Sequence, residues 1–86
     1  MLDKKAKEKI IEKFKTHAAD TGSPQVQIAI LSEEIRELSD HLRAHKKDFS
    51  SRRGLVKKVG ERRNLTKYLM REDVKAYEAL AEKLKL

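Results

Sequence analysis

Apolar side chains recur along this chain at intervals of three and four. Ile28, Leu31, Ile35, Leu38 and Leu42 form one seam of an α-helix. Val26 and Ile30 widen that face at its N-terminal end only, which leaves room there for another helix. Upstream, Ala6, Ile10, Ile11 and Phe14 share a face and predict a helix from about Asp3 to Lys15. The polar stretch HAADTGS breaks it. Ser23 is a good N-cap and Pro24 suits a first helical position, so the second helix opens there. Past Leu42, the polar run KKDFS predicts a short loop. Ser50 or Ser51 is expected to cap a third helix reaching Arg71, with Leu55, Val59, Thr66 and Leu69 on its core side and Val56 and Met70 flanking. Asp73 then caps a fourth helix that turns Val74, Tyr77, Leu80 and Leu84 inward. Gly54 and Gly60 interrupt the third helical pattern. Each costs about 1 kcal/mol relative to alanine, so each is expected to serve a close approach. No strand-period run or internal repeat stands out. The pattern predicts an all-α fold of four helices, the second and third forming a long antiparallel hairpin.

Composition narrows the function classes. Eighty-six residues predict a single domain, 1–86, whose core is too small for a deep substrate cavity. Cysteine is absent, which removes disulfides and thiolate metal sites. The stretch MLDKKAKEKIIEKFK has no apolar run long enough for a signal peptide or membrane span, so the expectation is a soluble cytoplasmic protein with no membrane partner.

Charge changes the picture more. The formal net charge is +7, and it is unevenly placed. Residues 1–45 carry 8 basic and 8 acidic side chains. Residues 46–71 carry Lys46, Lys47, Arg52, Arg53, Lys57, Lys58, Arg62, Arg63, Lys67 and Arg71 against only Asp48 and Glu61. A surface built for solubility alone intersperses the signs, so this third of the chain predicts a polyanionic partner.

The stretch HLRAHKKDFSSRRG, residues 41–54, gathers the candidate chemistry. His41 and His45 stand at i, i+4, a spacing zinc can use, with Asp48 as a third ligand. Against this, Leu42 occupies the place where the HExxH motif needs glutamate, and Lys46 and Lys47 repel a dication. Histidines near a helix end also favour its dipole without any ligand. A triad of Ser50 or Ser51 with a histidine and Asp48 lacks the Gly-x-Ser-x-Gly elbow and a pocket.

A nucleic-acid grip uses more of these residues at once. Gln27, Glu34, His41 and His45 fall in one stripe beside the apolar seam, joining the TGS and HKKD loops along one side of a rod. On the third helix Arg53, Lys57, Asn64, Lys67, Tyr68 and Arg71 lie roughly opposite the core, an arrangement that a solvated charged face would also produce. The DTGS stretch is sufficient as turn and cap chemistry, yet Gly22 also permits close backbone approach and Thr21 offers a hydroxyl. Helices of about 20 residues around the charged loop are long for a helix-turn-helix DNA reader. Short donors and acceptors in a loop suit the shallow minor groove of A-form RNA. RNA is the favoured partner, and a DNA-compacting basic protein is the rival.

The segments DTGSPQVQIAIL, HLRAHKKDFSSRRGL and VGERRNLTKYLMREDVKAYEAL closely resemble the bacterial small-subunit ribosomal protein S15 family, in register from about Asp20 to Leu84. The resemblance implies a structural, non-catalytic protein without cofactor or metal that binds the central domain of small-subunit ribosomal RNA and nucleates platform assembly. It implies that one surface, with Thr21, Gly22 and Gln27 beside Tyr68 and Arg71, grips a three-way junction. A second surface, with His41, Asp48 and Ser51, is implied to read a G·U/G·C element in a minor groove, while His45, Lys46, Lys47 and Arg53 contact the backbone. Implied partners are that RNA, neighbouring platform proteins and the large subunit through an inter-subunit bridge. Some family members also repress their own messenger RNA.

The chain departs from the family pattern at four places. Position 34 is often neutral or basic in relatives, so Glu34 is not expected to touch phosphate. Asn64 stands where a basic residue is usual. Phe49 and Ser50 replace two histidines found after the aspartate in many relatives, and Phe49 is expected to pack inward.

Overall fold

The computed structural model describes residues 3–15 and 22–85. They form α1 (Lys4–Phe14), α2 (Pro24–Ala44), α3 (Phe49–Glu72) and α4 (Val74–Leu84), with no strand among the described residues. Each helix starts on a side-chain cap that satisfies an otherwise orphaned backbone N–H. The Asp3 carboxylate accepts from the Ala6 amide at 2.7 Å and opens α1. Ser23 Oγ accepts from the Val26 amide at 3.3 Å, with Pro24 in the first turn of α2. Asp73 accepts from Ala76 at 3.0 Å; it ends α3 and opens α4, so those two helices join with no intervening loop.

The cap of α3 corrects the sequence reading. Asp48, not Ser50 or Ser51, occupies that position, and its carboxylate accepts from the Ser51 amide at 3.0 Å. Both residue types are good caps. Asp48 is the one whose side chain reaches an amide three positions into the helix, so α3 begins at Phe49 and the connection shrinks to residues 45–48.

The hairpin of α2 and α3 is the most extensive helix pair, as the seam predicted. α1 packs on α2, and α4 packs on both members of the hairpin. Ile28, Leu69 and Leu80 are buried together, with Phe14, Leu65, Ala76, Tyr77 and Leu84 packed around them. Val26, Ala29, Leu31 and Leu38 are also buried. All of α2's fully buried positions precede Leu42. The four-helix core therefore sits towards one end, and the hairpin carries its loop away as a two-helix rod.

That geometry explains three further corrections. Val56, Met70 and Val74 are exposed rather than flanking or facing the core. α3 is 24 residues long and gives α2 and α4 only one side of itself. A Cβ built on Gly54 or Gly60 meets nothing within 4 Å, so no close approach inside this chain requires either glycine. Finally Glu34, placed by its spacing in an exposed polar stripe, is buried between α2 and α3. Its carboxylate lies 3.4 Å from Lys58 Nζ, and one turn further along α3 Arg62 Nη1 donates to Ser32 Oγ at 3.3 Å. Two of the ten basic side chains of residues 46–71 thus face α2 rather than solvent.

Candidate nucleic-acid interface

At the tip of the rod the last turn of α2, the loop and the first turn of α3 converge. Asp48 collects three hydrogen bonds, one of them its cap of α3. Its Oδ1 accepts from the Ser51 amide, and its Oδ2 accepts from Ser51 Oγ at 2.7 Å and from His41 Nε2 at 2.7 Å. The Ser51 hydroxyl, then the Ser51 amide, then His41 hold this carboxyl well below the usual carboxylate range. A carboxylate only accepts, so His41 Nε2 carries the proton in this arrangement. Whenever the ring holds a single proton, Nδ1 is therefore an acceptor. The His45 ring stacks against His41 with centroids 4.6 Å apart and the planes tilted by 31°.

The consequence for chemistry is direct. Asp48 is largely spent on orienting its neighbours, whereas His41 is held in one orientation with a nitrogen to offer. Among the described residues no group of three or more His, Cys, Asp and Glu side chains could hold a metal ion. Around this cluster stand Lys46, Lys47 and Arg53, all exposed. Arg52 does something the sequence reading missed: its Nη2 donates to the Lys46 carbonyl at 2.8 Å and braces the loop. Its i, i+3 spacing from Phe49 was the available signal, since the guanidinium also lies over that ring, 5.9 Å from its centroid. Phe49 itself is exposed rather than packed inward, because the first residue of α3 lies beyond the reach of the core.

A second group lies nearer the core. Gln27 Nε2 donates to the Gly22 carbonyl, tying the first turn of α2 to the segment before it. Gln27 shares a groove with Ile30, Glu34, Glu61, Asn64 and Leu65. One turn beyond Asn64 on α3, Tyr68 is exposed, with the Arg71 guanidinium 5.7 Å from its ring centroid. Gly22, Gln27, Tyr68 and Arg71 are thus described, and Thr21 lies outside the described residues. Fourteen helical residues separate Gln27 from His41, so the two groups stand about 20 Å apart along α2.

Comparison with known proteins identifies the lineage of this arrangement. Residues 7–86 match the family model described as ribosomal protein S15. The chain belongs to the ribosomal protein S15 family. Among its relatives are proteins named small ribosomal subunit protein uS15. The one from Caldanaerobacter subterraneus subsp. tengcongensis is 59% identical over 86 residues, covering 100% of this chain and 98% of its own. That from Carboxydothermus hydrogenoformans is 56% identical over 85 residues, covering 99% and 96%. The Limosilactobacillus reuteri protein is 55% identical over 85 residues with the same coverage. The S15 family comprises structural RNA-binding proteins and not enzymes. No helix among the described residues is long and apolar enough to cross a membrane.

Proposed function

We propose that this chain, as one RNA-binding domain spanning residues 1–86, is a structural component of the small ribosomal subunit that acts in the cytoplasm on the ribosome. It binds the central domain of small-subunit ribosomal RNA through two surfaces about 20 Å apart along the hairpin. The observation that carries this reading is the His41–Asp48–Ser51 cluster at an exposed, cation-rimmed tip. Such a cluster presents short, oriented hydrogen-bonding groups at the depth of a shallow minor groove. His41 Nδ1 is suited to accept from a guanine 2-amino group, the one donor on a minor-groove base edge. This supports a G·U/G·C element as its target. Lys46, Lys47, Arg53 and His45 contact the flanking backbone.

The second surface, Thr21, Gly22, Gln27, Tyr68 and Arg71, grips a three-way junction. Holding a junction and one arm on a single rod fixes the angle between them. Platform proteins then dock on a preformed RNA geometry, and the exposed loop reaches the large subunit as a bridge. A structured messenger RNA that copies these two features would be bound in the same way, which provides a route to repression of the protein's own message.

Hydroxyl-radical footprinting on small-subunit ribosomal RNA tests the proposal. Protection confined to one three-way junction and one arm, at about 20 Å separation, is expected. Diffuse protection, or equal competition by duplex DNA, would replace it with a non-specific DNA-compacting role.

A further inference from the structure

Phe49 opens α3 at the rim of the loop with 65% of its surface exposed, and Val56, two turns on, is 67% exposed. At 100° per residue, positions 49, 52, 53, 56, 60, 63 and 67 share the side of α3 turned away from α2. That side carries Phe49 and Val56 among Arg52, Arg53, Arg63 and Lys67, and it holds no acid. Arg52 is held in place there by its hydrogen bond to the Lys46 carbonyl, with its guanidinium over the Phe49 ring. Apart from that guanidinium the ring is left largely exposed. The surrounding cations make it a poor seat for an apolar protein segment. They suit a ligand that is flat and apolar on its face and anionic at its edge, which describes a nucleotide.

We propose that Phe49, steadied by Arg52, is a stacking platform for an unpaired RNA base next to the duplex read by His41; this rests on the RNA-binding reading above. Every base has a π-face, so the platform adds affinity without adding sequence preference. The phosphates flanking the stacked base meet Lys46, Lys47 and Arg53. The site makes the tip of the rod sensitive to whether an unpaired nucleotide adjoins the paired arm.

The chain contains no tryptophan, so F49W places a single fluorescent reporter at the platform. The probes are a ten-nucleotide oligoadenylate and a ten-base-pair RNA duplex at the same salt concentration. F49W should bind both RNAs, with its emission strongly quenched by oligoadenylate and far less by the duplex. F49A, altered at an exposed position, should lose about fivefold or more in affinity for oligoadenylate and less than about twofold for the duplex. Equal affinity of F49A and the parent chain for oligoadenylate would overturn the proposal and assign the Phe49–Val56 face to a protein partner. Unquenched emission in a saturated complex would overturn it as well. A parent chain that binds neither RNA would sink the RNA-binding reading and the platform with it.

Discussion

His41 Nε2 and Asp48 Oδ2 lie 2.7 Å apart across the hairpin loop, and the same carboxylate caps α3. One side chain therefore performs two separable tasks. Asparagine preserves the cap, because its carbonyl oxygen still accepts from the Ser51 amide; alanine abolishes it. Neither substitution retains the carboxylate that orients His41. Asp48→Ala should therefore lose folding stability through both the missing cap and the missing charge, while Asp48→Asn should lose less, since it gives up the charge alone. Both should lose about 1–3 kcal/mol of discrimination between a cognate RNA arm and one with its G·U/G·C element scrambled. Urea denaturation and competition binding read the two effects. Asp48→Asn retaining full discrimination would show that orientation of His41 contributes nothing to recognition.

The depressed titration of Asp48 sets a pH signature. A folded-state value below the unfolded one stabilises the fold above the unfolded carboxylate range, near pH 4, and that contribution fades as pH falls further towards the folded value. Glu33, hydrogen-bonded by Arg36, shifts in the same direction, so acid sensitivity of the parent alone does not isolate Asp48. The difference between the parent and Asp48→Asn does. It should be greatest above about pH 5 and shrink steadily below about pH 4 in urea titrations. A difference independent of pH from 6 to 2.5 would place the effect of the substitution in packing instead of charge.

Glu34 and Lys58 form an ion pair that joins α2 to α3, at 3.4 Å with the Glu34 side chain 12% exposed. Removing only the lysine leaves a carboxylate between two helices with no cationic partner. Lys58→Ala should cost about 1–2 kcal/mol, reduced from the fully buried case by the solvent that still reaches the lysine. The double replacement Glu34→Leu with Lys58→Met should recover the parent's stability or exceed it, since it removes both desolvation penalties. A double-mutant cycle by thermal denaturation gives the coupling; additive effects would show the pair to be incidental.

The same orientation of side chains divides the basic segment into gripping and structural members. Lys46 and Lys47 are exposed at the loop, whereas Arg62 donates to Ser32 across the hairpin. Lys46→Ala and Lys47→Ala should each lower the slope of log affinity against log salt by about 0.7–0.9 for every phosphate left without its cation. Arg62→Ala should leave that slope unchanged and appear in folding stability. An equal slope change at all three positions would mean that the charge acts as a diffuse field.

Legibility of the fold followed the density of local signals. Ile28, Leu31 and Leu38 were evident from spacing because α2 is packed along most of its length, and Asp73 was evident because no other cap residue competes with it. Asp48 was obscured by Ser50 and Ser51, equally good caps by type, and only distance chooses among them. Phe49, Val56 and Val74 look like core by composition, and periodicity cannot say how far a helix extends past the helices that cover it. At the site, the polar cluster from His41 to Ser51 was legible as a group. That its aspartate is saturated by its neighbours was not, since that depends on rotamers across the loop.

Gly60 brings the two levels together. In mid-helix it costs about 1 kcal/mol relative to alanine, yet a Cβ there meets no atom of this chain within 4 Å. Packing within the protein therefore gives no return for that cost. Gly60→Ala should raise folding stability by about 1 kcal/mol in urea denaturation. Position 60 lies on the outward side of α3 between Val56 and Arg63, where a partner's backbone can come closest to the helix. If Gly60→Ala stabilises the free protein and leaves RNA affinity intact, the glycine serves no contact on that side. A stabilised variant with weakened RNA binding would instead show that the close approach expected of this glycine is made by the RNA. Failure to stabilise would contradict the open space seen around it.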